Sequence, residues 1–131
     1  MKESTQIKNL LARKIFNSRG EETIEVDIQS FHHRGRSSAP SGKSRGIHEA
    51  VPYPQGGVDE AVDTVKDLIK PRLVGLESLN QKAIDKILHK IDNTPNFKKL
   101  GGNTTYAVSL AAISLAASIK KQMLSKYIGQ N

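Results

Sequence analysis

Apolar and polar residues follow two rhythms along this chain, and the switch between them falls at Gly57. Ahead of it, Thr23, Glu25, Asp27 and Gln29 take one parity while Ile24, Val26, Ile28 and Ser30 take the other. Successive side chains of a strand point to opposite faces, so this alternation predicts a half-buried strand. Ile7, Leu11 and Ile15 stand apolar among polar neighbours before it, and the breaker run Asn17-Ser18-Arg19-Gly20 separates the two stretches. A second turn at His32-His33-Arg34-Gly35 leads into a short strand around Arg36 to Ala39. The start of the chain therefore predicts an antiparallel meander.

After Gly57 the period becomes 3.6. Val58, Ala61, Val62, Val65, Leu68 and Ile69 share one helical face, Asp59 and Glu60 complement the dipole at its start, and Pro71 is expected to stop it. A second helix opens at a capping box, Ser78 with Gln81, buries Ile84, Ile87, Leu88 and Ile91, and ends at Asn93-Thr94-Pro95. The third runs from a cap at Asn103 through an Ala/Ser-rich stretch to about Lys121. Being apolar nearly all round, it is expected at the centre. A last turn of helix covers Met123 to Ile128. Strands first and helices afterwards predict an α+β fold, a three-stranded antiparallel meander followed by three to four helices packed on one face.

Between the two regimes, Pro40, Gly42, Gly46, Pro52, Pro54, Gly56 and Gly57 exclude any regular element over about residues 40–57. A loop of that length inside a compact domain is usually functional or mobile. Its Gly42-Lys43-Ser44 invites a phosphate-loop reading, which the spacing refuses. The motif requires a glycine at position 37, which is Ser37, and Pro52 and Pro54 intervene before any helix begins.

The 131 residues fit one domain able to bury a modest core. The absence of cysteine removes disulfide and thiolate-metal chemistry. A net charge of +7 attracts anions, yet the charge is spread, aromatics are 5% and tryptophan is absent, so nucleic-acid binding is not expected. The start of the chain lacks the apolar run of a signal peptide, and Tyr106 to Ile119 is too short and too serine-rich to span a bilayer. A cytoplasmic protein with no membrane partner is the expectation. His32, His33 and His89 read as surface histidines; His48, in the long loop, stays open. Gly101-Gly102-Asn103-Thr104 reads as a structural helix start whose N–H groups are capped.

Several blocks carry a resemblance. They are Ala12-Arg13-Lys14-Ile15-Phe16-Asn17-Ser18-Arg19-Gly20-Glu21-Glu22-Thr23-Ile24-Glu25-Val26, then Ala39-Pro40-Ser41-Gly42-Lys43-Ser44-Arg45-Gly46-Ile47-His48-Glu49-Ala50, then Gly57-Val58-Asp59-Glu60-Ala61-Val62. Ile91-Asp92-Asn93-Thr94-Pro95-Asn96-Phe97, Leu100-Gly101-Gly102-Asn103 and Ala107-Val108-Ser109-Leu110-Ala111 follow in order. Together, over about Ile7 to Gly129, they resemble the N-terminal domain of enolase, the lyase that dehydrates 2-phosphoglycerate to phosphoenolpyruvate with magnesium. The resemblance implies a capping domain over a catalytic barrel, with Gly42, Lys43, Ser44, Gly46 and His48 in a substrate loop. It further implies Ser44 as a ligand of the second Mg²⁺, Gly42 and Gly46 as hinges, and Arg13, Arg19 and Glu25 as contacts of a homodimer. Lys43 stands where a small residue is usual in that family and Arg45 where threonine is common. No catalytic residue of the family transfers onto this sequence.

A (β/α)₈ barrel takes about 250 residues, so none is expected within these residues. The expectation is one capping domain over residues 1–131, inactive alone and binding Mg²⁺ weakly or not at all, whose partner is a barrel domain or chain. The alternative is a stand-alone binding or regulatory module that kept the capping fold.

Overall fold

The structure is a computed structural model that describes residues 4–40 and 51–130. Three strands, β1 (Asn9–Phe16), β2 (Glu22–Gln29) and β3 (Arg34–Ser38), form an antiparallel sheet in the order β1-β2-β3. The β1–β2 register pairs Arg13 with Glu25 and Lys14 with Ile24, and the β2–β3 register pairs Asp27 with Arg36 and Ile28 with Gly35. The Asn17–Gly20 turn closes the first hairpin as expected, with Asn17 Oδ1 accepting from the amides of Arg19 (2.9 Å) and Glu21 (3.0 Å). This is the predicted α+β meander, followed by four helical rods.

The first rod comprises α1 (Gly57–Thr64), a π-turn (Val65–Ile69) and α2 (Lys70–Leu73), followed by α3 (Gln81–Asp92), α4 (Gly102–Ile119) and α5 (Leu124–Gln130). The core gathers Ile24, Val26 and Ile28 from the sheet, Ala61, Val65 and Ile69 from the first rod, Ile84 and Leu88 from α3, and a row of small residues from α4. α4 lies across β3 and β2 as the central helix. Its alanines bring the backbones so close that a Cβ on Gly35 would sit 2.2 Å from the Ala111 carbonyl oxygen and 2.3 Å from the Leu115 nitrogen.

That approach explains one departure from the sequence reading. β3 begins at Arg34, two residues before the expected start, because Gly35 belongs in the ladder beneath α4. Other corrections have equally local causes. The first rod does not stop at Pro71: the Lys70 amide reaches back five residues to the Val65 carbonyl, and this wider turn lets the proline ring enter the helix. The extra residue rotates Leu68 out to the surface and leaves it 41% exposed. Asn80 caps α3 through its side chain to the Ala83 amide (3.1 Å), whereas Ser78 is buried with its amide on the Thr5 carbonyl (3.0 Å). Ile87 is only half-buried. In β1, Leu10 rather than Leu11 turns inward. β2 is also more than half-buried, since Thr23 and Asp27 on its polar parity are covered as well.

Replacing Gly35 by alanine is expected to destabilise the domain by about 3 kcal/mol, because the atoms it meets are backbone and cannot step aside. Urea unfolding checks this, and a change of less than about 1 kcal/mol would refute the close approach of α4 to β3.

Candidate functional site

The long glycine- and proline-rich segment leaves the sheet at Ala39-Pro40 and rejoins the domain at Val51-Pro52. Its central residues, including Gly42, Lys43, Ser44, Gly46 and His48, lie outside the described residues. Both of its roots are held by the same two elements, β2 and α4.

On the sheet side, the Ala39 amide donates to the Ile24 carbonyl (3.1 Å). The buried Thr23 hydroxyl donates to the Ala39 carbonyl (2.9 Å) and lies 2.9 Å from the Tyr53 hydroxyl, which accepts from the Ile24 amide at 3.2 Å. One threonine thus bonds to the outgoing root and the returning root at once. On the helix side, the α4 amides of Gly102 and Asn103 donate to the carbonyls of Val51 (2.5 Å) and Pro52 (2.9 Å), and the Asn103 side chain reaches the Pro40 carbonyl at 3.4 Å. The Val51 amide completes the returning root on the Asn96 carbonyl (2.8 Å).

Helix starts normally leave N–H groups to be satisfied from outside. Here, backbone carbonyls of the returning root do it, so Asn103 is not the side-chain cap expected from its type. The N-cap is Gly101, at φ 91°, with no side-chain cap. A Cβ on Gly101 would lie 2.6 Å from both the Pro52 oxygen and the Tyr53 Cα, so the seat of the root requires glycine twice over.

The outer face of the sheet carries a compact charge lattice. Arg13 bonds Glu25 (2.5 Å) and Asp27 (2.7 Å), and Arg36 grips the same Asp27 through Nε (2.6 Å) and a second nitrogen (3.1 Å). Asp27 is 2% exposed because these two guanidinium groups cover it. The Arg36 bond, reinforced by Arg13, holds its carboxyl down at about 2 against the cost of its burial. Lys14 bridges the sheet edge to Asp59 of α1 at 3.2 Å.

Residues 7–128 match the family model described as the enolase N-terminal domain. The chain belongs to that family.

It is 43% identical over 123 residues to the enolase of Methanosphaera stadtmanae, with 94% of this chain and 30% of that protein covered. It is 42% identical over 125 residues to the enolase of Methanothermobacter thermautotrophicus, with 95% and 30% covered. With enolase 2 of Methanospirillum hungatei, identity is 45% over 133 residues, covering 95% and 31%. The chain therefore spans about 30% of the length of these relatives.

Within this enolase N-terminal domain, Arg13 and Glu25 sit directly opposite each other and pair within the chain, while Arg19 stands at the tip of the first hairpin. Among the described residues no three His, Cys, Asp or Glu side chains gather as metal ligands, and no helix is long and apolar enough to cross a membrane. His33 Nδ1 lies 3.2 Å from the Ser118 hydroxyl, and His89 leans on Phe97. The sequence reading missed Thr23, Tyr53, Asp27 and Arg36. Two of them left a trace: Tyr53 is the lone aromatic among the breakers, and Thr23 begins the polar parity of β2.

Tyr53→Phe leaves the Ile24 amide without its partner and is expected to cost about 1–2 kcal/mol in urea unfolding and to speed exchange of that amide. Unchanged exchange would rule out the root contact. For Asp27, the folded carboxyl titrates below its unfolded value, so its stabilisation is full above about pH 4 and disappears as pH falls towards 2. Discounted for the half-exposed arginines, Asp27→Asn is expected to cost about 2 kcal/mol at pH 7 and to flatten the acid arm of stability against pH. An acid arm as steep in the variant as in the parent would contradict it.

Proposed function

We propose that this chain is the capping domain of an enolase and acts by presenting its glycine-rich segment to a reaction centre that lies outside these 131 residues. Family membership over residues 7–128 carries this reading. The firm seating of both roots supports it, since a segment that must meet a substrate reproducibly benefits from a rigid base.

In this reading, Ser44 supplies hard oxygen ligands to a Mg²⁺ ion in the assembled enzyme, and Gly42 and Gly46 give the backbone freedom to bring it there. Magnesium takes six oxygen ligands, so one serine contributes part of a site and the remaining ligands come from the barrel and the substrate. Bound there, the ion supplies charge stabilisation for the dehydration of 2-phosphoglycerate. Lys43 adds a positive charge for the phosphoryl group, and His48 lines the same segment. Arg13, Arg19 and Glu25 face a second copy in a homodimer, where the charge lattice on the outer sheet keeps the first and last of them oriented. The enzyme works in the cytoplasm.

The reading is tested by assay of 2-phosphoglycerate turnover with and without an enolase barrel. The 131-residue chain alone is expected to show none. Joined to the barrel it is expected to support turnover, which Ser44→Ala lowers by at least about a hundredfold. Turnover by the chain alone, or an unaffected Ser44→Ala enzyme, would overturn the proposal. Isolation from the native cell with an unrelated partner and no barrel would instead favour a stand-alone binding module.

A further inference from the structure

A concavity of about 370 Å³ lies where the first helical rod, the end of α3 and the residues after Phe97 meet. Leu68, Pro71 and Ile91 form its floor, and Arg72, Lys90 and Lys99 stand on its rim with a single carboxylate, Asp67. All four charged residues are exposed, and none makes an ion pair among the described residues. On the outer sheet the domain pairs its arginines, as Arg13 and Arg36 do with Asp27. Here it leaves an unneutralised surplus of two positive charges over an apolar floor.

The chain's irregularities build this cleft. The π-turn turns Leu68 outward and carries Pro71 and Arg72 round to the same side. Buried Asp92 fixes the opposite wall: its carboxylate accepts from the Thr94 amide (3.0 Å), the Thr94 hydroxyl and the Leu100 amide (2.7 Å). It thereby ties down a segment in which Asn93, Asn96 and Phe97 all adopt positive φ, and Lys99 leaves that segment at the rim. The positions of the cations are therefore set by ordered backbone, although their side chains end in solvent.

We infer that this cleft is a binding site for a small organic phosphate, with Arg72, Lys90 and Lys99 on the phosphoryl group and Leu68, Pro71 and Ile91 beneath its apolar body. The guanidinium fork suits two phosphate oxygens, and each ammonium serves as a point charge. A phosphate dianion balances the surplus left after Asp67. The floor offers no aromatic ring, so a stacked base is not the intended body. None of its residues belongs to the long segment of residues 40–57 or to the outer sheet.

The test is a ¹H–¹⁵N titration of the 131-residue chain with phenyl phosphate and, separately, with inorganic phosphate. Saturable shifts are expected at the amides of Leu68, Arg72, Lys90 and Lys99. Phenyl phosphate is expected to bind at least about fivefold more tightly, because only it covers the floor. The exposed-site variant Arg72→Ala/Lys99→Ala should keep the parent spectrum elsewhere and lose at least about tenfold in affinity. Leu68→Ser should remove the preference for phenyl phosphate while leaving inorganic phosphate unchanged. Shifts scattered over lysines all round the molecule, equal affinity for the two ligands, or a double variant that binds like the parent would each overturn the inference.

Discussion

The close passage of α4 over β2 and β3 is the constraint on which the rest of this domain depends. It needs a glycine in β3, small residues along α4 and branched aliphatics on the inward parity of β2, and the sequence provides all three at matching positions. Burial of that interface gives the core its free energy, since apolar area removed from water is the main favourable term in folding. It also fixes the first turn of α4 relative to the first residues of β2. These two places hold the roots of the long segment. Packing at the centre and geometry at the edge are thus one arrangement.

Polar groups are used in two ways around that core. Thr23 and Tyr53 bond to each other and to the backbone at the outgoing root, and the first amides of α4 bond to the carbonyls of the returning root, so no side-chain cap is needed at Gly101. On the outer sheet, Asp27 is covered by arginines that each keep one side towards solvent, which limits the desolvation that a fully buried ion pair would incur. The cleft at the π-turn differs from that lattice, since Arg72, Lys90 and Lys99 make no ion pair among the described residues. That contrast gives it its interest.

Much of this was legible in the sequence. Alternation in residues 23–30 gave β2, the 3.6 period after Gly57 gave the helices, and the Ala/Ser-rich stretch correctly announced the central helix. The ordered blocks around Asn17, Gly57, Asn93 and Gly101 carried the family, which the match over residues 7–128 bears out. What escaped depends on contacts between distant residues. No local rule lets a proline continue a helix, because that rests on the i to i+5 bond before it. Asn103 has the type of a cap, yet distant carbonyls reach its amide first. Thr23 and Asp27 looked solvent-facing by parity, and only the side chains crossing from Tyr53, Arg13 and Arg36 bury them.

First-turn amides of a helix usually exchange with solvent freely, and this gives the seating of the long segment a sensitive reporter. Hydrogen exchange at Gly102 and Asn103 in the 131-residue chain measures it directly. Both amides are predicted to be protected to nearly the same degree as the middle of α4, because the Val51 and Pro52 carbonyls hold them. Exchange at the rate of an unstructured peptide at these two positions, with the centre of α4 still protected, would contradict the account.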